Sequence, residues 1–326
     1  MTTLGLLIGG QAKAASGEGT FERRNPFTGE VATTAAAASV EDAKAAADAA
    51  GRAFATWSQT GPGERRGKLL KAAELMEARQ AEFIERMVNE TGATPGWAGF
   101  NVMVAAGMLR EAASLTTQIQ GDVIPSNVPD NLAMGIRVPC GVVVGIAPWN
   151  APIILGTRAV ATPLACGNTV ILKASEQCPA THHLIGEVLV EAGLGEGVVN
   201  VVTNAPHEAP QIVETLIAHP EVARINFTGS TGVGRIIAEK AAHHLKPVLL
   251  ELGGKAPFLV LDDADLDAAV DAAIFGAFFN QGQICMSTER LIVDASVADA
   301  FVDKLATRAA ALKVGDPRGE GNALGT

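Results

Sequence analysis

Cys285 is a residue whose type and setting could support chemistry. It lies in the segment FNQGQICMSTER, residues 279–290, which is otherwise rich in amides, glycine and hydroxyl groups. A thiolate there could act as a nucleophile. A free cysteine is also commonly a small buried hydrophobic residue, so both interpretations stay open from the residues alone. Packing is the interpretation for the other cysteines, Cys140, Cys166 and Cys178.

Four more polar residues lie at or just after the ends of apolar runs. Glu251 ends such a run in LLELGGKAP, and Asn150 follows one in GIAPWNAP, between two prolines that would hold its amide rigidly. Lys173 and Glu176 follow a third run in ILKASEQCP, at a strand end where open α/β sheets bind ligands. Each has a competing interpretation: a salt-bridged strand end for Glu251, a plain loop for Asn150, and a solvated surface pair for Lys173 and Glu176.

A glycine-rich turn, FTGSTGVGR at residues 227–235, connects an apolar run to a helical pattern. Backbone N–H groups at such a helix start could hold a pyrophosphate. Gly229 and Gly234 would allow close approach, and Ser230 would offer a hydroxyl. The spacing is not GxGxxG, and ordinary loops use glycine as freely, so the turn alone does not decide.

Composition limits the classes of protein that the chain can be. Its 326 residues are 48% hydrophobic and 18% charged, which is typical of a globular α/β protein of about two domains. The formal charge of −10 argues against a nucleic-acid surface. The first residues match neither a signal peptide nor a membrane span, so we expect a cytoplasmic protein without a membrane partner.

No metal site is predicted. The cysteines are widely and irregularly spaced, without a CxxC pair, which disfavours zinc and disulfides. Two histidine pairs, His182-His183 and His243-His244, could suggest a metal. Adjacent residues on a helix point about 100° apart, however, so we assign both pairs to solvated surface.

The apolar patterns predict the architecture. Residues from about 40 to 117 show helical spacing that begins at a serine cap, with a Pro-Gly break in QTGPGE. After Pro139, short apolar runs alternate with helical segments, which predicts strands buried on both faces in a doubly wound parallel sheet of the Rossmann-like α/β class. Residues 118–138 predict a protruding β-hairpin with apolar arms that need a partner.

Taken together, the motifs APWN, KASE, FTGSTGVG, ELGGKAP and FNQGQIC resemble those of the NAD(P)-dependent aldehyde dehydrogenase superfamily. The resemblance covers essentially the whole chain in the same order, and residues 130–189 look like the bacterial salicylaldehyde, benzaldehyde and vanillin branch. The resemblance implies a dinucleotide-binding domain over 1–118 and 139–253. It also implies an oligomerisation hairpin over 119–138 and part of a catalytic α/β domain over 254–326. A homo-oligomer, a dimer or a tetramer, is implied as well.

The resemblance also implies roles for the residues already named. Cys285 matches the nucleophile, Glu251 the general base and Asn150 the side-chain donor of the oxyanion hole. The aldehyde would form a thiohemiacetal, lose hydride to the nicotinamide and leave a thioester that water hydrolyses. The positions that match the cofactor site are Ile146, Trp149, Lys173, Glu176, Gly229, Ser230 and Gly234. Because a carboxylate at Glu176 would repel a 2′-phosphate, NAD is preferred over NADP.

An aromatic aldehyde would need an apolar slot. The candidates for its walls are Trp97, Phe278, Ile284 and Met286. Arg158, about two helical turns beyond the APWN motif, could meet a phenolic oxygen, although a pair with a surface acid is equally compatible with the sequence.

Members of the superfamily continue well beyond Thr326, so the resemblance implies a chain that is C-terminally truncated within its catalytic domain. Three functions stay open: a shortened dehydrogenase for an aromatic aldehyde, an NAD-binding module without turnover, and a cysteine-dependent esterase without redox chemistry. The retained Cys285, Glu251 and Asn150 favour the dehydrogenase, since a binding module has no need of them.

Overall fold

The computed structural model describes residues 3–326 and contains ten α-helices and thirteen strands in that range. The helices are α1 Val40–Trp57, α2 Pro62–Ala78, α3 Gln80–Thr91, α4 Pro95–Leu115, α5 Pro152–Ala165, α6 Pro179–Glu191, α7 Ala209–Ala218, α8 Thr231–His243, α9 Leu266–Phe278 and α10 Ala298–Ala310. The strands are β1 Leu6–Ile8, β2 Gln11–Lys13, β3 Thr20–Arg24, β4 Val31–Ala36, β5 Asp122–Ile124, β6 Ala133–Gly135, β7 Val142–Ile146, β8 Thr169–Lys173, β9 Val199–Val202, β10 Val222–Gly229, β11 Val248–Leu252, β12 Ala256–Val260 and β13 Thr288–Val293.

The main sheet has seven strands in the order β11-β10-β7-β8-β9-β1-β2. Five of them, from β11 to β9, run parallel, and their carboxyl ends therefore lie along one edge. The prediction of a doubly wound α/β fold is confirmed. The N-terminal strands β1 and β2 add an antiparallel extension beside β9, which makes the sheet mixed.

Helices cover both faces of this sheet. On one face, buried residues of α2, α4, α5 and α6 pack in a common core with Val143 and Leu172. On the other face, α1, α7 and α8 pack against Val144, Ile171 and Phe227. Because β7 and β8 are covered on both sides, each of their residues is buried, as expected for continuous apolar runs in a parallel sheet.

The helical region before residue 117 is confirmed but is more finely divided than the pattern indicated. Ser39 caps α1 and exchanges hydrogen bonds with Asp42 in a capping box. The long second pattern is broken at Arg79, which ends α2 and precedes α3. The antiparallel pair β3-β4 was not predicted, because the segments are short and each contains one strongly apolar residue, Phe21 and Val31.

The predicted hairpin is present. β5 and β6 pair antiparallel as a separate two-stranded sheet, with Val123 opposite Met134. Its apolar side chains are exposed, Val123 by 73% and Ile136 by 72%.

A smaller α/β unit follows the main sheet. The parallel pair β12-β13 packs with α9 and α10 around a small core that contains Val260, Val270, Ala273 and Phe301. This is the second α/β unit that the fold prediction placed in the C-terminal part. The division into domains at 118, 139 and 253 stays a prediction.

Two expectations about burial are wrong. β11 is an edge strand, so Val248, Leu250 and Leu252 pack on the core while Leu249 and Glu251 are exposed. The pair His182-His183 is buried rather than solvated, because α6 lies between the sheet and helices α2, α3 and α5. In residues 3–326, no helix combines the length and apolarity that crossing a membrane requires.

Glu90, near the end of α3, is the fully buried acid that connects α3 to α6. Its carboxylate accepts hydrogen bonds from the Ala180 N–H at 2.8 Å, the Thr181 N–H at 2.9 Å, and the hydroxyls of Thr181 and Thr33. Burial raises the pKa of Glu90, against the lowering effect of these bonds. A negative group at the start of a helix also interacts favourably with the helix dipole.

We predict that Glu90→Ala lowers the free energy of unfolding by about 3 kcal/mol, because two buried backbone N–H groups lose their acceptor. Denaturant titration measures the change. The control is Glu85→Ala on the exposed face of the same helix, which should stay within about 0.5 kcal/mol of the wild type. Equal effects of the two substitutions would contradict this account of α6.

Candidate active site

The carboxyl edge of the parallel strands brings together most of the polar residues singled out in the sequence. The loop after β7 contains Trp149 and Asn150, and β8 ends at Lys173, three residues before Glu176. Ser230 follows β10 directly. Glu251 lies in the adjacent strand β11, opposite Thr228. This is the edge at which open α/β sheets bind their ligands.

Asn150 connects this edge to the loop that carries Cys285. Its backbone carbonyl accepts hydrogen bonds from the Trp97 indole N–H at 2.9 Å and the Asn280 amide at 3.1 Å. Its side-chain Nδ2 donates to the Gln283 carbonyl at 2.8 Å. Gln283 lies two residues before Cys285, so the Asn150 amide is held against the cysteine loop.

The backbone of the cysteine loop is unusual. Asn280, Gln281 and Gly282 are consecutive residues in the left-handed region, with φ of 49°, 57° and 71°. Residues other than glycine adopt this backbone conformation at an energetic cost, although asparagine tolerates it comparatively well. Strain of this kind is frequently found at functional sites.

Cys285 and Glu251 are both exposed. Glu251 lies on the exposed face of β11, next to Thr228 of β10. Arg158 of α5 reaches toward the same face, and its Nη2 donates to the Thr228 hydroxyl at 2.9 Å. Arg158 thus binds a hydroxyl beside Glu251, rather than the surface acid that the sequence left open.

An aromatic cluster lies next to Asn150. Trp97 stacks on Phe100 at 5.5 Å between ring centroids and meets the edge of Phe279 at 4.9 Å, and Phe275 stacks on Phe279. Trp97 is buried. Of the other slot residues that the sequence suggested, Phe278 and Ile284 are half-buried and Met286 is exposed. The structure adds Phe100, Phe275 and Phe279 to the aromatic surroundings.

A cleft of about 370 Å³ opens at the carboxyl edge between α7 and α8. Four of the predicted cofactor residues line it: Ile146, Lys173, Glu176 and Gly229. Apolar side chains of α7 and α8, including Val213 and Ile236, form much of its wall. An apolar cleft whose lining includes the carboxylate of Glu176 fits the adenosine part of a dinucleotide.

Lys173 and Glu176 form an ion pair inside this cleft. Lys173 is only 5% exposed, which excludes the solvated surface pair considered above. Asn204, which was not predicted, donates from Nδ2 to Glu176 at 3.0 Å and to the Ala205 carbonyl at 2.8 Å. Lys173 and Asn204 therefore both hold Oε1 of Glu176.

Three other predicted cofactor residues lie outside the lining of the cleft. Ser230 caps α8 by accepting from the Val233 N–H. Gly234 is buried, and a side chain there would lie 2.6 Å from Leu252, so this glycine allows α8 to pack closely on β11. Trp149 is half-buried in the Asn150 loop. In the described part of the chain, no three His, Cys, Asp or Glu residues group around a possible metal position.

Comparison with protein families identifies the chain. The model of the aldehyde dehydrogenase family matches residues 13–326. The chain belongs to the aldehyde dehydrogenase family. It spans about two thirds of the length of the curated relatives that it matches. A vanillin dehydrogenase from a Pseudomonas species, strain HR199, is 68% identical over 321 residues, which are 98% of this chain and 66% of that protein.

Solved structures of this aldehyde dehydrogenase family are closely similar. The crystal structure of a salicylaldehyde dehydrogenase from Pseudomonas putida G7, complexed with salicylaldehyde, matches with a TM-score of 0.98 and 52% identity over 100% of this chain and 67% of that one. An NAD-dependent benzaldehyde dehydrogenase from Corynebacterium glutamicum matches with a TM-score of 0.93 and 40% identity, covering 99% of this chain and 70% of that one.

The sequence contained signals for some of the residues that it did not single out. Asn204 lies just after the apolar strand β9. The criterion that selected Lys173 and Asn150, a polar residue at or just after the end of an apolar run, also applies to it. His182 lies in a helix that is apolar on all sides, and such a helix is typically buried. Asn280 and Gln283 had no such signal, because their contacts depend on how the two α/β units pack together.

We predict that Gly282→Ala lowers the free energy of unfolding by about 1–2 kcal/mol, because an L-residue in the left-handed region is strained. The new Cβ would also lie 2.9 Å from the Ala277 carbonyl. Gly107→Ala on the exposed face of α4, where a Cβ meets no atom within 4 Å, should instead raise stability by about 0.5–1 kcal/mol. Differential scanning calorimetry compares them, and a neutral Gly282→Ala would contradict the strain argument.

Proposed function

We propose that this chain oxidises an aromatic aldehyde to the carboxylic acid and reduces NAD. The observation that carries the proposal is the hydrogen bond from the Asn150 amide to the Gln283 carbonyl at 2.8 Å. It brings a donor at the end of β7 onto the loop that contains the exposed thiol of Cys285. Asn150 follows β7 directly, and Ile146, the last residue of that strand, lines the apolar cleft.

In this proposal Cys285 is the nucleophile. Its thiolate adds to the aldehyde carbon and forms a thiohemiacetal, while the Asn150 amide and the Cys285 N–H donate to the developing oxyanion. NAD, when held in the cleft beside Lys173 and Glu176, would supply the acceptor for the hydride of this carbon. The remaining thioester is hydrolysed by a water molecule that Glu251 deprotonates, which releases the acid and the thiolate. One aldehyde, one NAD⁺ and one water are consumed.

NAD is the proposed cofactor. Glu176 lines the cleft and its carboxylate is anchored by Lys173 and Asn204, so it could accept hydrogen bonds from both hydroxyls of an adenosine ribose. The same carboxylate would repel a 2′-phosphate, which disfavours NADP. Ser230 and the start of α8 are the proposed donors to the pyrophosphate. Ile146, Trp149, Gly229 and Gly234 are proposed to shape this site.

An aromatic aldehyde is the proposed substrate class. The aromatic cluster around Trp97 adjoins Asn150, and Arg158 offers a cation on the face of the sheet that carries Glu251. We propose Trp97, Phe278, Ile284 and Met286 as walls of the aldehyde slot and Arg158 as a partner for a phenolic oxygen. The similarity to vanillin and salicylaldehyde dehydrogenases supports this class.

We expect the purified 326-residue chain to reduce NAD with salicylaldehyde or vanillin, seen as an increase in absorbance at 340 nm. Cys285→Ala should abolish this signal, whereas Cys140→Ala, a second exposed cysteine, should retain it. Asn150→Ala should lower kcat by about 10²–10³-fold, because an oxyanion donor is lost. NADP should give a lower kcat/KM than NAD.

A wild-type rate equal to that of Cys285→Ala would remove the dehydrogenase proposal. Saturable NAD binding in that case, measured by quenching of tryptophan fluorescence, would indicate a binding module. Cleavage of p-nitrophenyl acetate that requires Cys285 but not NAD would indicate an esterase.

We further propose that the chain forms a homo-oligomer, a dimer or a tetramer, through the hairpin β5-β6. Its exposed apolar side chains lie on both arms and in the segment that connects them: Val123, Ile124, Val128, Leu132, Met134, Ile136 and Val138. An exposed apolar surface of this kind marks an interaction site. A second copy of the same hairpin would supply an equally apolar partner.

The double substitution Val123→Glu with Ile136→Glu should shift the chain toward a monomer, because burying two carboxylates at the interface is costly. Size-exclusion chromatography with light scattering measures the mass. The control is Val302→Glu, an exposed apolar position on α10, which should leave the mass unchanged. A monomeric wild type at micromolar concentration would contradict the proposal.

A further inference from the structure

His182 is a fully buried histidine on α6 whose two ring nitrogens contact two different loops of the candidate site. Nδ1 lies 3.0 Å from the backbone N–H of Ser175, and Nε2 lies 3.1 Å from the Pro152 carbonyl oxygen. Ser175 belongs to the loop after β8 and Pro152 begins α5, two residues after Asn150.

These contacts determine the tautomer of the ring. A backbone N–H can only donate, so Nδ1 must accept and carries no hydrogen. A carbonyl oxygen can only accept, so Nε2 must carry the hydrogen. Burial, with a smaller effect of the Lys173 charge, lowers the pKa of His182 to about 3. The ring is therefore neutral and has a single orientation at physiological pH.

The helix opposite His182 is shaped to admit this ring. A Cβ at position 156 of α5 would lie 3.1 Å from Cδ2 of His182 and 2.6 Å from Cδ1 of Ile185. Gly156 therefore lets α5 and α6 approach closely enough for the imidazole to reach Pro152. The hydrogen bonds are thus supported by packing on the other side of the ring.

The two loops carry different parts of the proposed machinery. Glu176, the proposed ribose partner, directly follows Ser175. Asn150, the proposed oxyanion donor, precedes Pro152 by two residues. Since β7 and β8 are neighbours in the sheet, their following loops lie side by side and need a connection at the level of the side chains.

We propose that His182 is a positioning residue that holds the cofactor loop through Ser175 and the Asn150 loop through Pro152. The inference rests on the proposed function for the roles of Glu176 and Asn150, but the two hydrogen bonds do not depend on it. His182 touches neither the cofactor nor the reacting atoms in this proposal. Its effect is to fix the distance between the two loops.

Two conservative substitutions separate the two hydrogen bonds. His182→Asn places an amide oxygen near the position of Nδ1, so it can still accept from Ser175 but no longer reaches Pro152. His182→Gln places an amide nitrogen near the position of Nε2, so it can still donate to Pro152 but releases Ser175. His182→Leu removes both bonds and replaces the imidazole with an apolar side chain of similar length.

We expect His182→Asn to keep the Kd for NAD and to lower kcat about fivefold to tenfold, the usual effect of one hydrogen bond. His182→Gln should show the reverse, a Kd raised by about the same factor with little change in kcat. His182→Leu should show both changes. Tryptophan fluorescence measures the Kd, and absorbance at 340 nm measures kcat.

The control is His183→Gln on the same helix, because His183 is equally buried but bonds to Glu187 instead of a loop. It should lower the melting temperature without changing the Kd or kcat. Equal changes of both constants in His182→Asn and His182→Gln would show a merely structural residue and overturn the proposal. Unchanged constants in His182→Leu would overturn it as well.

Hydrogen–deuterium exchange provides a readout that requires neither turnover nor NAD. His182→Gln should accelerate exchange at residues 174–178 alone, and His182→Asn at residues 153–156 alone. If the wild type neither binds NAD nor turns over, the proposed function fails while this pattern still decides the role of His182. Uniform acceleration at residues 174–178 and 153–156 by either variant would contradict the assignment of one bond to each segment.

Discussion

The position of the candidate site depends on the backbone carbonyl of Asn150, which accepts from two side chains at once. The Trp97 indole comes from α4, and the Asn280 amide comes from the loop that leads to Cys285. A carbonyl has two lone pairs, so both bonds can form without competition. The main sheet, the helical N-terminal region and the smaller α/β unit meet at this one oxygen. A change in any of them would move the cysteine loop relative to the sheet.

Helix α6 has a comparable role behind the site. The buried carboxylate of Glu90 satisfies N–H groups at its start, and His182 in the same first turn connects it to the loop after β8 and to the start of α5. Buried polar groups are costly unless each donor and acceptor has a partner. Here both residues use their hydrogen-bonding capacity fully, which favours one arrangement of α6 against the sheet. This arrangement of α6 also fixes the loops at the carboxyl edge of the sheet.

The sequence predicted the parts of this structure that follow from periodicity and strand ends. Apolar runs gave the five parallel strands, and the strand-end rule selected Lys173 and Glu176, which line one cleft. The rule failed for the burial of Glu251, because a run of letters does not show that β11 is an edge strand with one open face. The hydrogen-bond partners of His182, Ser175 and Pro152, were not visible in the sequence either, although the apolar helix α6 signals the burial of the ring. Contacts of this kind become visible only when the units are packed.

The Asn150 side chain shows how such packing can serve chemistry. Its amide nitrogen carries two hydrogens, and one is directed at the Gln283 carbonyl. An inverted amide would place two oxygens against each other, so this orientation is the one that electrostatics permits. With one hydrogen fixed, the direction of the second is fixed as well, which is the preorganisation that an oxyanion donor requires. Because Gln283 belongs to the loop of Cys285, this bond holds the proposed donor against the loop of the proposed nucleophile.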